Sequence, residues 1–519
     1  MRGLYLNTDK QALADSIAFF SDYNHHLTEK FAGHDIELVY SKFEWRDELP
    51  KVIIDVAQRV YCAGWFLYRG KRNNLKQLAE DYVRDGLQVF NRIDLGSFVI
   101  AIFNDAEVQV VADVVGLSTH YARTCDQLLQ VAPGVKAFTP AGESNPLLVE
   151  ARKAQGHLFG NYTIYDDIRR LEPGSATQKS GATQRYYQPC FDSPAEQLTE
   201  VPQIISQVME YWPLEERVLA ISGGLDSRLA LSFQRFGFGY TYGPEKSGDH
   251  PVARQYADCF SRYHEFDFAE PTLLPEEQLI CDSFFYGVSS WVPRLLTAYK
   301  YSNTQAGDAK ALFDGYIGNI FQRGNYLKFR GVLGNFLKLF PVFYTLGLSA
   351  ETILRRRYVA LSEPALALLL EDFRTRTVDL AADDYQKVAY YELFYGRGGR
   401  YVVNGGNITA GQMFTTIPIF LYKPAFKIFM SQDFTDSVRY KLLRKIWQKT
   451  PKRFREVTSD AGGRSNDALL DHSSEKYILS GVSTLRARVC YLCSRIEKYK
   501  HSRINFVTST QRHVGRHVT

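Results

Sequence analysis

The sequence has few cysteines, and their spacing is irregular. Seven cysteines stand at positions 62, 125, 190, 259, 281, 490 and 493 of a 519-residue chain. An odd number at irregular intervals excludes a complete disulfide framework and favours a reducing compartment. Cys490 and Cys493 form one Cys-x-x-Cys pair without a second pair. That lone pair argues against a structural metal site.

The sequence also lacks a clean apolar run long enough to cross a membrane. The most apolar stretch, residues 331–350, is interrupted by Lys338 and Pro341, and it therefore predicts buried helices. The first residues, Met1-Arg2-Gly3, begin no apolar run of the kind that marks a secretory signal. We therefore predict a cytoplasmic protein.

Neither sign of charge is in strong excess. The 62 basic and 57 acidic residues leave a formal net charge of +5, which is too small to predict a nucleic-acid partner. Basic residues concentrate in 481–519, which we predict to be a basic tail. A solvated tail and a contact with a membrane surface or an acidic partner both stay open.

The chain changes texture near residue 200. Residues 1–190 predict β-rich structure, including a hairpin of strands 95–103 and 108–112. After residue 200, short apolar strands alternate with helices, and beyond about 325 the sequence predicts mainly helix. The predicted strands are 217–221, 238–242 and 263–267. This alternation of strand and helix is typical of a parallel α/β sheet.

A glycine-rich loop follows the first of these strands. It reads Ser222-Gly223-Gly224-Leu225-Asp226-Ser227 and opens a predicted helix. Glycines permit a tight turn and bring backbone N–H groups close to phosphate oxygens, and the start of a helix attracts anions. Because Asp226 repels bare phosphates, we expect a divalent cation between them. No Gly-x-x-x-x-Gly-Lys sequence occurs, which excludes the P-loop of ordinary NTPases.

This loop resembles the pyrophosphate loop of the asparagine synthetase superfamily. Tyr240-Thr241-Tyr242-Gly243 is similar to the second strand of that family, and residues 313–319 are similar to its second glycine loop. Upstream, residues 95–103 and Leu171-Glu172-Pro173-Gly174 resemble its glutaminase half. Residues 391–434 resemble the helical end of its synthetase half, so the resemblance covers most of the chain.

The resemblance implies a fold of two domains in series. Residues 1–190 would form a degenerate amidotransferase domain, an N-terminal-nucleophile-hydrolase-like αββα sandwich. Residues 200–480 would form a parallel α/β ATP-pyrophosphatase domain with a helical C-terminal region. The implied cofactors are ATP and Mg²⁺, with Asp226 at the metal. The implied nucleotide-binding residues are Ser222, Gly223, Gly224, Leu225, Asp226, Ser227, Tyr242, Gly243, Gly315 and Gly318.

Two positions depart from the family pattern. Glutamine-using members have a cysteine at position 2, whose α-amine activates its own thiol, whereas this sequence has Arg2. We therefore predict that the glutaminase activity is lost and that this half has a structural role. Members usually place a magnesium-binding acid where Asn319 stands, and an amide supplies an oxygen without charge.

Tyr316 stands where β-lactam synthetase and its relatives have a catalytic tyrosine. In that group the tyrosine works with a glutamate to take a proton from the attacking nitrogen, since a phenol with a pKa of about 10 needs such a partner. Glu392 is the candidate partner; a packed aromatic and a surface acid are the alternative interpretations. We also expect at least one of five arginines to stabilise charge on pyrophosphate. They are Arg397, Arg400, Arg453, Arg455 and Arg464.

The resemblance implies a carbon–nitrogen ligase that splits ATP into AMP and pyrophosphate. A substrate carboxylate would be adenylated and then attacked by ammonia, supplied freely or by a separate glutaminase, or by an amine. The loop with Arg228 directly after it resembles the loop of asparagine-synthetase-like proteins that are encoded with surface-polysaccharide genes. This resemblance implies a sugar acid as substrate. A lactam or macrolactam synthetase acting on a peptide, and a catalytically degenerate nucleotide-binding scaffold, are the alternatives. The oligomeric state, a homodimer included, stays open.

Overall fold

The structure is a computed structural model, and it describes most of the chain before residue 457. The described residues are 1–8, 24–31, 34–41, 50–54, 58–104, 107–125, 128–138, 142–192, 195–244, 247–267, 273–275, 277–278, 281, 291–327, 347–438 and 441–456. The predicted basic tail 481–519, Arg464, Cys490 and Cys493 lie outside these residues, as does most of the apolar stretch 331–350.

Two antiparallel sheets form the N-terminal part. Their strands are β1 (Gly3–Asn7), β2 (Asn24–Phe31), β3 (His34–Ser41), β4 (Lys51–Ile53), β5 (Gln58–Tyr68), β6 (Lys71–Arg72), β7 (Leu95–Asn104), β8 (Glu107–Ala112), β9 (Tyr121–Cys125), β10 (Leu128–Ala132), β11 (Ile168–Arg170), β12 (Ser175–Gln178) and β13 (Thr183–Arg185). The first sheet has the order β11-β9-β10-β1-β3-β2, and the second has β13-β12-β8-β7-β5-β4 with β6 beside β5. The predicted hairpin is confirmed as the antiparallel pair β7 and β8.

The two sheets face each other across an apolar core. Leu4 and Leu6 of β1 share this core with Tyr61 and Ala63 of β5 and with Val99 of β7. Residues two apart on a strand point to the same face, which is why alternate positions fill the space between the sheets. Helix α1 (Leu75–Asp85) buries its apolar side in a different core, on the other face of the second sheet. The double sheet of the predicted sandwich is therefore confirmed.

A parallel sheet forms the second part of the chain. Its strands are β14 (Arg217–Ala220), β15 (Phe236–Tyr242), β16 (Phe260–Phe266), β17 (Ala311–Asp314) and β18 (Thr415–Pro418), in the order β16-β15-β14-β17-β18. Every neighbouring pair is parallel. The parallel sheet predicted from β14, β15 and β16 is thus confirmed, and the loops that follow its strands meet at one edge. The sequence did not predict β18, because its four residues lie within a segment that was predicted to be helical.

The remaining described chain is largely helical, as predicted beyond residue 325. After α1 the α-helices are α2 (Pro146–Gln155), α3 (Val201–Met209), α4 (Leu225–Leu231), α5 (Asp249–Ala253), α6 (Trp291–Ala306), α7 (Gly318–Arg323), α8 (Ala350–Arg357), α9 (Glu363–Thr377), α10 (Asp384–Phe394), α11 (Thr409–Gly411), α12 (Lys423–Met430), α13 (Phe434–Val438), α14 (Lys441–Trp447) and α15 (Lys452–Glu456). A π-helix spans Gly398–Ile408, and 3₁₀ turns span Gly86–Arg92, Val135–Ala137, Ala195–Glu200, Leu214–Glu216, Arg254–Cys259, Asn325–Leu327 and Ile419–Leu421. No helix of the described chain has the length and hydropathy to cross a bilayer.

Buried contacts join the two sheet systems. The Trp65 indole N–H of β5 donates to the backbone carbonyl of Thr416 in β18 at 3.1 Å. The Trp65 ring also meets Trp212 edge to face, with centroids 5.4 Å apart. Both systems belong to one compact unit, Met1–Leu469. The predicted change near residue 200 therefore separates two kinds of sheet within one body.

Candidate functional site

The first glycine loop leaves β14 at the carboxyl edge of the parallel sheet and is held by its own hydroxyl groups. The Ser222 hydroxyl accepts a hydrogen bond from the Gly224 N–H at 3.2 Å, and the Ser227 hydroxyl accepts one from the Ser222 N–H at 3.3 Å. The Gly223 N–H donates to the Asp249 carboxylate at 2.6 Å. Hydrogen bonds within the protein therefore hold the curved shape of the loop.

Arg228 supports this loop from behind. Its side chain is fully buried; the guanidinium donates to the Gly223 carbonyl at 3.0 Å and to the Phe454 carbonyl of α15 at 3.3 Å. Asp249 is the first residue of α5, and Gly248 occupies the cap position before it. Both residues therefore position the glycine loop: Arg228 through a carbonyl and Asp249 through an N–H.

The second glycine loop, between β17 and α7, touches the first. A Cβ atom added to Gly315 would lie 2.9 Å from the Asp226 carbonyl carbon and from the Ser227 nitrogen. A Cβ atom added to Gly318 would lie 2.8 Å from the Asp226 carboxylate oxygen Oδ1. Only glycine fits such close approaches. The structure therefore brings together the two loops that the sequence singled out, and Asp226 lies where they meet.

Ile317 gives the second loop an unusual backbone. Its φ is 73°, and its side chain is buried. This left-handed conformation is a genuine outlier for a β-branched residue, and such strain is concentrated at functional sites. The strained residue follows Tyr316 and precedes Gly318, so it lies inside the loop that faces Asp226.

Gln322 binds the Asp226 carboxylate, and sequence reasoning missed it. Its amide nitrogen donates to Asp226 Oδ1 at 2.6 Å, and its amide oxygen accepts from the Trp447 indole at 2.8 Å. Gln322 lies one turn after Gly318 and Asn319 on α7, so helical spacing was the available signal. The Asn319 side chain makes no hydrogen bond within the described part of the chain.

A second carboxylate lies close to Asp226. Asp314 ends β17; its Oδ1 accepts the Tyr316 N–H at 2.7 Å, and its Oδ2 is buried without a hydrogen bond in the described structure. Burial raises the pKa of Asp314 well above its usual range, and the charge of Asp226 adds to that rise. Two neighbouring carboxyl groups supply oxygen ligands of the kind that a hard divalent cation prefers.

The described residues do not by themselves supply a complete metal site at these loops. Within the described residues, no group of three or more His, Cys, Asp or Glu side chains is placed to hold an ion. A cation at Asp226 and Asp314 would take its other ligands from phosphate oxygens or water, which is how Mg²⁺ usually binds in nucleotide sites.

Tyr316 lies in a cluster of tyrosines beside the second loop. Its hydroxyl is 3.1 Å from the Tyr299 hydroxyl of α6, and its ring lies against Gly406 of the π-helix. Tyr242 stacks on Tyr240 and meets Tyr299 edge to face. Burial raises the pKa of Tyr242 to about 12 and the pKa of Tyr316 well above its usual value.

The expected pairing of Tyr316 with Glu392 is not observed. Glu392 is fully buried on α10, where its carboxylate accepts from the Arg357 guanidinium at 3.0 Å and from the Arg397 N–H at 3.2 Å. No hydrogen bond joins Glu392 to Tyr316 among the described residues. Glu392 instead forms an ion pair with Arg357, and the Tyr316 hydroxyl lies beside the hydroxyl of Tyr299. Glu392 is also not the surface acid of the alternative interpretation.

The predicted arginines make local contacts. The Arg397 guanidinium lies 4.4 Å from the Tyr401 ring centroid. Arg400 donates to the backbone carbonyl of Tyr162 at 2.7 Å, and Arg453 binds the exposed carboxylate of Asp258 at 2.8 Å. Arg455 lies on α15. A role for any of them at pyrophosphate stays a prediction.

Arg2 connects the antiparallel sheets to the end of α11. Its guanidinium is buried and donates to the carbonyls of Gly411 and Phe414, the latter at 3.1 Å. Its N–H donates to the Gln412 side chain at 3.1 Å. These contacts are those of a structural residue, and the structural role of residues 1–190 as a whole stays a prediction.

No family model matches the chain, and no curated protein sequence matches it. Several solved structures match the chain, and two of them show how low the similarity is. One is described as the structure of the allosteric regulatory enzyme of purine biosynthesis. It is 10% identical to this chain, the match covers 47% of this chain and 68% of that chain, and the TM-score is 0.21. The other is glutamine phosphoribosylpyrophosphate (PRPP) amidotransferase from B. subtilis complexed with ADP and GMP: 12% identity, 68% and 81% covered, TM-score 0.20. Scores this low assign no fold.

Proposed function

We propose that this chain binds ATP with Mg²⁺ across its two glycine loops and adenylates a carboxylate. Pyrophosphate leaves in that step, and ammonia or an amine then displaces AMP to form an amide. The observation that carries the proposal is the contact between the two loops at Asp226, at the carboxyl edge of the parallel sheet. Open α/β sheets bind their ligands at this edge.

The residues of the first loop suit the binding of phosphates. Gly223 and Gly224 let the backbone approach closely, and the hydroxyl groups of Ser222 and Ser227 lie within the same turn. Mg²⁺, when bound, would neutralise phosphate charge beside Asp226. The protein's own contribution is to position the nucleotide and the carboxylate, since the reaction itself needs orientation and charge stabilisation.

The substrate of this proposal is a carboxylate of the sugar-acid class, with nitrogen from ammonia or from a separate glutaminase. Tyr316 and Tyr299 border the second loop and offer hydroxyl groups to such a substrate. Closure of a lactam within one molecule is the alternative, and it needs no ammonia. The two alternatives differ in whether ammonia is consumed.

A second candidate function is nucleotide binding without turnover. It is favoured by the amide of Gln322, which donates to the Asp226 carboxylate, and by Asn319, which stands where the family usually has an acid. An acid at either position would strengthen a hard cation site. A scaffold of this kind binds ATP and releases no pyrophosphate.

Pyrophosphate release tests the proposal. The purified protein is incubated with ATP, Mg²⁺, ammonium and a panel of sugar acids and amino acids, and pyrophosphate and AMP are measured. We expect carboxylate-dependent release that EDTA abolishes. Asp226→Asn should lower the rate by about 10²- to 10³-fold, the size of effect seen when one transition-state contact is removed.

Asp379→Asn is the matched control, since Asp379 is an exposed acid just after α9, and it should leave the rate unchanged. ATP binding without pyrophosphate from any carboxylate would favour the scaffold. Absence of ATP binding would contradict both candidates. Glutamine replaces ammonium in a parallel reaction, where release of glutamate would contradict the predicted loss of glutaminase activity.

A further inference from the structure

A separate polar cleft lies between the two antiparallel sheets. Its volume is ≈ 590 Å³, within the usual range for sites that bind small molecules. It is bordered by β11, the edge strand of the first sheet, by β13, the edge strand of the second, and by helix α9. No residue of the two glycine loops lines it.

The inner wall of the cleft is a network of buried ion pairs. Arg376 of α9 donates to Glu172 at 2.8 Å and to Asp372 at 2.9 Å. Tyr391 donates to Asp372 at 2.8 Å, and Tyr395 donates to Glu172. Because each charge has an opposite charge beside it, the wall is rigid and electrically compensated.

The outer part of the cleft offers hydroxyl groups and further paired charges. Arg185 of β13 reaches Glu172 at 3.2 Å, and the rim includes the side chains of Thr124, Thr177 and Thr183. A Cβ atom added to Gly181 would lie 3.3 Å from the Thr124 hydroxyl oxygen. The turn between β12 and β13 therefore lies against β9 and closes one end of the cleft.

The charges that line the cleft balance. Four arginines and four carboxylates take part: Arg169, Arg170, Arg185, Arg376, Asp166, Asp167, Glu172 and Asp372. A phosphate group would meet the four carboxylates, and a metal cation would meet the four guanidinium groups. A neutral hydroxyl group is repelled by neither set of charges. It both donates to carboxylates and accepts from guanidinium N–H groups.

We propose that this cleft binds a neutral polyhydroxylated ligand of mono- to disaccharide size. Hydrogen bonds to ionised groups are stronger than those between neutral groups, and here they are available without an uncompensated charge. The preformed wall lowers the cost of ordering side chains on binding. The proposal is independent of ATP chemistry, because the cleft and the glycine loops have no residue in common.

Binding of simple sugars to the full chain tests the proposal. Glucose, maltose and myo-inositol are titrated separately by saturation-transfer NMR, with inorganic phosphate as the charged comparison. We expect saturable binding of at least one polyol. Thr183→Trp, at an exposed position on β13, should fill the cleft and weaken that binding by about tenfold or more, which corresponds to about 1.4 kcal/mol.

Thr304→Trp is the matched control, because Thr304 is exposed on α6 and does not line the cleft. It should bind the same polyol as the unchanged chain does. Three outcomes would overturn the proposal: no polyol binds, Thr183→Trp binds as well as Thr304→Trp, or phosphate binds more tightly than every polyol. Circular dichroism of both variants establishes that each is folded.

Discussion

Two clusters of buried charges are built in opposite ways. Where α9 meets the antiparallel part, Arg376 holds Glu172 and Asp372 at ion-pair distance. At the carboxyl edge of the parallel sheet, Asp314 is buried beside a second acid, Asp226. Paired charges are typical of structural sites, whereas like charges in proximity cluster at functional sites. We therefore expect the Arg376 network to contribute more to stability, and the pair Asp226 and Asp314 to serve the proposed function.

The largest effect is expected where α9 loses a cation that it shares with the antiparallel part. Arg376→Met leaves Asp372 without this ion-pair partner and leaves Glu172 with Arg185, and breaking a buried pair in this way costs about 3–5 kcal/mol. Denaturant unfolding measures the change. Arg374→Met is the control, because Arg374 lies two residues earlier on α9 with an exposed partner, Glu351, and should change stability little. Equal stability of the two variants would contradict the expectation that the ion pairs of Arg376 stabilise the fold.

A smaller effect of opposite sign is expected at the parallel sheet. Asp314→Asn keeps an oxygen for the Tyr316 N–H and removes a carboxyl group whose pKa is raised in the folded chain. We therefore expect the Mg²⁺-free variant to be more stable than the unchanged protein at neutral pH.

The pH dependence of that difference checks its cause. A carboxyl group whose pKa is raised by folding costs stability above its unfolded pKa of about 3.9, and the cost grows as the pH rises. The stability gain of Asp314→Asn should therefore vanish near pH 4 and increase toward pH 7. A gain that is independent of pH, or a loss at neutral pH, would show that Asp314 is a structural residue like those of the antiparallel part.

Local sequence patterns predicted much of the fold and the first loop. The backbone conformation is predictable from the local sequence in the apolar strands at 217–221 and 238–242 and at the glycines after Ser222. β18 could not be predicted in the same way, because its residues Thr415–Pro418 are too few to show a period and pair with β17 about a hundred residues earlier. Its strand character comes from that pairing.

Tertiary contacts account for the errors at the site. Glu392 was matched with Tyr316 by resemblance, whereas the fold places it against Arg357, which lies 35 residues earlier on another helix. Gln322 was overlooked because its importance depends on a contact with Asp226 across two elements. The left-handed backbone of Ile317 is opposed to its intrinsic preference, so no local pattern could indicate it.

The most direct test of the central claim is Mg²⁺-dependent ATP binding by two glycine variants, measured by calorimetry. Gly315→Ala places a Cβ atom 2.9 Å from the backbone of the first loop, whereas Gly411→Ala places one in open space. Overpacking of this kind costs about 1–3 kcal/mol, so Gly315→Ala should weaken ATP binding by about tenfold or more. Gly411→Ala should bind ATP as the unchanged chain does. Equal affinity of the two variants would contradict a nucleotide site at the meeting of the two loops.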